Sequence, residues 1–182
     1  MIKQKNIKTM ALIGAVSLFF CLFYFYLLPR YDVSNLNKNL FSLDLLSNYS
    51  REDVNQLFNT IGISGMNQYY NFLIVDTFYI FIYTYLSILI IVFLQNNMGR
   101  FGTLTSWFRY FPIVVATLDT IENINTFSLL KFYPNITDEW VNFGSIITCL
   151  KWYCVSVLAG IIICYIFYAV LRNLFWRLKK TK

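Results

Sequence analysis

From Met10 to Leu28 the chain reads MALIGAVSLFFCLFYFYLL, without one charged side chain. About 20 predominantly apolar residues cross a bilayer core as a helix, so this run is read as a membrane span. Three more segments follow: 69–94, whose only charge is Asp76; 110–130, which holds Asp119, Glu122, Asn123 and Asn125; and 141–171, within the apolar stretch Trp140–Leu171. The run at 10–28 ends in LLPRYD, with no small-x-small cleavage site, which predicts an uncleaved anchor rather than a signal peptide. The expected fold is all-α: an integral membrane four-helix bundle, one transmembrane domain over residues 1–182. Residues 29–68 form its one sizeable outer loop.

Composition agrees. The chain is 58% hydrophobic and 13% charged, where soluble domains average about 45–50% and about 25%. That excludes a disordered chain and disfavours a soluble globule. There is no histidine, which removes His-based acid/base chemistry, catalytic triads and imidazole-bound metals. The four cysteines, Cys21, Cys149, Cys154 and Cys164, contain no C-x-x-C pair and have apolar neighbours, so they are expected to be buried thiols. No cofactor is called for.

Lysine and arginine set the orientation. With the N-terminus in the cytoplasm, the inner segments hold Lys3, Lys5, Lys8, Arg100, Arg109, Arg172, Arg177, Lys179, Lys180 and Lys182, and no acid. The outer segments hold Arg30, Lys38, Arg51 and Lys131 beside six acids. The bias predicts both termini inside. It also accounts for the net charge of +6 through anionic lipid headgroups, with no nucleic acid partner. A bacterial inner or plasma membrane suits the basic tail; Lys179-Lys180-Thr181-Lys182 also resembles a dilysine signal for the endoplasmic reticulum. The sequons at Asn48-Tyr49-Ser50 and Asn135-Ile136-Thr137 fall on the outer side, but an Asn-rich chain produces such triplets by chance.

Within the outer loop, Ser50 and Asp53 have capping-box spacing, and Val54, Leu57, Phe58 and Ile61 share one helical face before Gly62 and Gly65. A short amphipathic helix is expected there, lying on the outer membrane surface or covering the bundle.

The informative residues are those that lipid does not tolerate. A charge at the bilayer centre costs about 2.5–3.5 kcal/mol on the mildest scale, so such groups face the interior or a wet cavity. Counting from the outer ends at helical rise puts Asp76 about 10 Å down, Glu122 about 13 Å, and Asp119 and Lys151 about 16–18 Å. Pro112, Ala116, Asp119 and Asn123 form one stripe of the third span, with Glu122 adjoining; Asp76, Tyr79 and Tyr83 form one on the second. The two stripes are expected to face each other, with Lys151 opposing the acids and Asp119 as its main partner. Ala116, Ala159 and Gly160 would allow close helix approach. Lys151 is buried if the last span starts near Asn142; if it starts at Trp152, residues 140–150 form an interfacial helix and Lys151 merely snorkels.

These residues carry a resemblance. Ser50-x-Glu52-Asp53-Val54-x-x-Leu57, Ile61-Gly62-x-x-Gly65, Tyr69 or Tyr70, Asp76-x-Phe78-Tyr79-x-x-x-Tyr83 and Pro112-x-x-x-Ala116-x-x-Asp119-x-x-Glu122-Asn123 resemble an uncharacterised family of small four-span membrane proteins. The likeness covers roughly residues 50–125, and Asp-x-x-Glu-Asn is its most specific element. A proline expected after the second-span aromatic is missing; Tyr79-Ile80 stands there. The resemblance implies that the acids form one site and supplies no activity. In architecture alone the chain is also similar to proteins of the sterol-isomerase and sigma-2-receptor type, which place acids in comparable spans to bind cationic or sterol ligands. The isomerases among them use a histidine that this chain lacks.

The ligand-binding candidates are therefore Asp76, Tyr79, Tyr83, Asp119, Glu122, Asn123 and Lys151. The expected role is binding of a lipid, a cation or a membrane partner. Two alternatives stand beside it: a small membrane enzyme using a carboxyl on a lipid-like substrate, and a structural subunit whose polar network only orders helices. A proton or ion path is a further option, and the oligomeric state is not legible.

Overall fold

The computed structural model describes residues 4–32, 42–46 and 48–180, with side chains over 7–32, 42–46 and 48–172. Lys3, Lys5, Lys38 and the basic tail at Arg177, Lys179, Lys180 and Lys182, which enter the orientation reading, have side chains outside these residues. Among the described residues every regular element is helical.

Helix α1 (Gln4–Leu22) runs into a π turn (Phe23–Leu27) and a last turn, α2 (Leu28–Tyr31). The Leu28 N–H reaches back to the Phe23 carbonyl, one residue further than an α-helix would. Pro29 gives the reason. Its ring clashes with the carbonyl four residues back and it donates no hydrogen bond, so the α-ladder cannot pass through this point. A short 3-10 turn at Leu43–Leu45 follows.

Helix α3 (Arg51–Asn96) starts with the capping box read from the sequence. Ser50 Oγ accepts from the Asp53 N–H, and Asp53 Oδ2 accepts from the Ser50 N–H at 2.8 Å. The Ser50 N–H and the Ser50 hydroxyl, which also donates to Asp53 Oδ2 at 2.8 Å, hold the Asp53 carboxyl below its ordinary range. Residues 51–61 form a limb that breaks from the rest of α3 at Gly62, whose φ of 61° and ψ of −171° a side chain would oppose. Val54, Leu57, Phe58 and Ile61 are buried with Tyr49, Tyr69, Leu129, Ile136 and Val141. The amphipathic limb thus packs its apolar face on one end of the helices instead of offering it to a membrane surface. Gly65 does not end it; α3 resumes as one helix to Asn96.

After α3, Gly99 (φ 62°) turns the chain into α4 (Arg100–Leu104) and a 3-10 turn at Ser106–Tyr110. Then come α5 (Phe111–Phe132) and α6 (Asp138–Lys180). Because α6 is continuous, residues 140–150 are not a separate interfacial helix. Helix α5 packs on α3 and α6, and α1 packs on α3.

Ile7–Tyr31, Arg51–Asn96 and Asp138–Arg172 are long and apolar enough to cross a membrane. The acid-bearing α5 is not among them, yet Glu122, Asn123, Asn125 and Thr126 on it are buried between its neighbours. Of the small residues expected to allow close approach, Gly160 does not mark one, and two other glycines do. A Cβ at Gly160 would meet nothing, whereas one at Gly102 would overlap the Gln95 backbone and one at Gly144 the Asn125 side chain. The cysteines also differ from expectation: Cys21 and Cys164 are exposed, and Cys149 and Cys154 are half-buried. Apolar neighbours mark lipid-facing and core-facing helix surfaces alike, so they do not fix burial in a chain of this kind.

Candidate functional site

The two stripes meet. Tyr83 on α3 donates to Asp119 Oδ2 at 2.8 Å, and the Asn123 amide donates to Asp76 Oδ2 at 2.8 Å. Positions seven apart on α3 thus match positions four apart on α5, as expected of two facing helices. Tyr79 takes another role. It stacks on Phe20 at 5.2 Å between centroids, with Phe23, Tyr24 and Tyr83 around it, and so joins α1 to α3.

Lys151 is buried, its side chain 7% exposed, and bridges two acids of α5. It lies at 3.2 Å from Asp119 Oδ1 and donates a closer hydrogen bond to Glu122 Oε2. Glu122, not Asp119, is therefore its main partner. Depth counting placed Lys151 level with Asp119, but Thr148, one turn before Lys151 on α6, also donates to Glu122 Oε1. These two α6 residues together hold the Glu122 carboxylate, whose side chain is 1% exposed, whereas that of Asp119 is 14% exposed. Two charges so deeply placed are compatible with folding only as a pair with hydrogen bonds on the remaining oxygens.

A cavity of about 560 Å³ opens beside this network. Asp76, Tyr79, Tyr83, Asp119 and Lys151 line it; Glu122 and Asn123 do not, and act from behind the wall. Further along α6, Val155, Leu158, Ala159 and Ile162 line it, and α1 with its π turn contributes Phe20, Tyr24 and Phe25. The volume and the mostly apolar wall with a few polar groups at one end are those of small-molecule sites.

One wall was not expected. The 3-10 turn at Leu43–Leu45, within the 29–68 segment, brings Ser42 and Asp44 onto the cavity. The Leu43 N–H donates to the Tyr69 hydroxyl at 2.8 Å, and the Asp44 carbonyl accepts from Trp152 Nε1 at 2.9 Å. Burial pushes the Asp44 carboxyl above the ordinary carboxylate range. Its Oδ1 and the hydroxyl of Ser42, a residue 1% exposed, are buried with no hydrogen-bond partner among the described residues. The signal was a lone acid inside the apolar run Phe41-Ser-Leu-Asp-Leu-Leu46, which is unusual for a solvated loop.

Compared with models of known families, with curated proteins and with solved structures, the chain matches none.

Proposed function

We propose that this chain is a four-span membrane protein, a single transmembrane bundle with both termini in the cytoplasm, that binds an amphiphilic molecule in the cavity beside Lys151. The fourth span is α5. Its 22 residues extend about 33 Å at helical rise, enough for a core of about 30 Å. Its acids are paired inward, as charges within a membrane must be. The inner excess of lysine and arginine supports the orientation, in a bacterial inner membrane or that of the endoplasmic reticulum.

The cavity carries the functional reading. One end is polar, at Asp44, Asp76, Asp119 and Lys151, and the other is apolar, at Val155, Leu158 and Ile162. A molecule with a polar end and a hydrocarbon body fits that division, and binding rather than catalysis is the assignment. The Glu122–Lys151–Thr148 contacts lie outside the cavity wall proper and favour a second, structural role for that part of the network. The test is identification by mass spectrometry of molecules that copurify with the protein and with an Ala159→Trp variant, which fills the apolar end. A lipid-like molecule retained by the first and lost from the second is expected. Identical profiles from the two would count against the reading.

A further inference from the structure

The charges around the cavity do not balance. Asp32, Asp44, Asp76 and Asp119 line it, with Lys151 as its one lysine or arginine among the described residues. That ammonium is already held by Glu122 from behind and by Asp119. Asp76 has an amide donor and Asp119 a phenol, while Asp44 Oδ1 and the Ser42 hydroxyl are buried without a hydrogen-bond partner among the described residues. Buried carboxylates in excess over cations are costly, and among the described residues the acids outnumber the one lysine, which suits the space to a cationic occupant.

The wall says what kind. No group of three acidic or thiol side chains among the described residues is close enough to hold a metal ion. Phe20, Tyr24, Phe25, Tyr79 and Trp152 surround the same space. Aromatic faces attract a diffuse organic cation, above all a quaternary ammonium. The position of the cavity gives the direction of entry. Helix α1 packs on α3, and α6 on α5 and α3, so the space lies where α1 and α6 face each other. Its wall there is open to the surroundings: Phe25 is 73% exposed, Tyr24 49% and Trp152 41%. On a membrane-spanning chain that side meets lipid.

We propose, resting on the amphiphile reading above, that the occupant is a lipid-borne ammonium whose nitrogen sits among Asp44, Asp76 and Asp119 and whose tail leaves between α1 and α6. The test compares three radiolabelled probes of one chain length, an alkyl trimethylammonium, a fatty alcohol and a fatty acid, together with tetramethylammonium, on the protein in phosphatidylcholine nanodiscs. The alkyl ammonium should bind at least tenfold tighter than the alcohol, and tetramethylammonium at least tenfold more weakly than its long-chain counterpart. Asp44→Asn should erase most of the headgroup preference, and Ala159→Trp should remove binding of every long-chain probe. Equal or better binding of the alcohol, still lost in Ala159→Trp, would overturn the ammonium assignment and leave the amphiphile site standing. Absence of saturable binding for all probes would overturn both. The headgroup comparison on the unaltered chain is independent of whether any variant folds.

Discussion

Replacing Lys151 by methionine keeps most of the length of the side chain and removes its charge, and the structure fixes what that does. Glu122, almost wholly buried, loses its closest partner and keeps only the Thr148 hydroxyl. Asp119 loses the contact at 3.2 Å and keeps Tyr83. Removing one member of a buried pair costs about 3–5 kcal/mol because the other is left uncompensated. For a chain of this size that corresponds to a fall in Tm of about 6–20 °C. Glu122→Gln should cost less, since Lys151 retains Asp119, and Asp119→Asn least, since it is more exposed and the Glu122 pair survives. The double variant Lys151→Met with Glu122→Gln should be more stable than the two single losses together imply, by a coupling of about 0.5–3 kcal/mol. Thermal unfolding in a mild detergent, followed by the reactivity of the native cysteines, measures these chains together with the double variant Lys151→Met with Asp119→Asn, which closes the second cycle. Strict additivity for Lys151 with Glu122, combined with coupling for Lys151 with Asp119, would refute the choice of partner. Additivity in both cycles would refute the ion pair itself.

Other consequences are testable by similar means. Gly144→Ala should destabilise by about 1–3 kcal/mol, because its Cβ would overlap the Asn125 amide and the Tyr49 hydroxyl; Gly160→Ala, with open space around it, should be neutral or stabilising by up to about 1 kcal/mol. Ser50→Ala should cost about 1 kcal/mol through loss of the cap, read by thermal unfolding at neutral pH. Asp53 is held below its ordinary carboxyl range by Ser50, so its contribution is present above a pH of about 3.9 and lost as the pH falls through the folded value. The stability difference between wild type and Asp53→Asn should shrink over that acid window. Single cysteines at positions 51 and 138, whose native side chains form an ion pair at 3.6 Å, should label from outside the cell, and those at 100 and 179 from inside. Labelling of 179 from outside would overturn the topology.

Much of the arrangement follows from local rules. The Ser50–Asp53 cap needs only a spacing of three, and the Asp76–Asn123 and Tyr83–Asp119 contacts need only that two helical stripes face each other. The choice between Glu122 and Asp119 was not accessible in this way. They lie less than one turn apart on α5, and a lysine side chain spans that distance, so depth along an idealised helix does not discriminate. The Thr148 hydroxyl does, and it sits at a spacing of three from Lys151, where a reading that included neutral polar groups could have found it. Asp44 is different in kind. It reaches the cavity through contacts 26 and 108 residues away along the chain, and no periodicity encodes such a return. Cysteine exposure was illegible for a solvent reason: when the surroundings are hydrocarbon, inside and outside of the protein favour the same side chains.

The burial of α5 has a consequence for biosynthesis. On the four-span reading, a helix with Asp119 and Glu122 near its middle partitions poorly by itself, since each acid carries a penalty of about 2.5–3.5 kcal/mol at the centre of the bilayer. Its counter-charge, Lys151, belongs to a helix that leaves the ribosome later. Integration of α5 should therefore be deferred, with the translocon or an insertase holding it until α6 arrives and the two enter as a hairpin. A nascent chain stalled after residue 137 should remain extractable from the membrane at that helix, and one stalled beyond residue 172, with all of the apolar part of α6 available, should not.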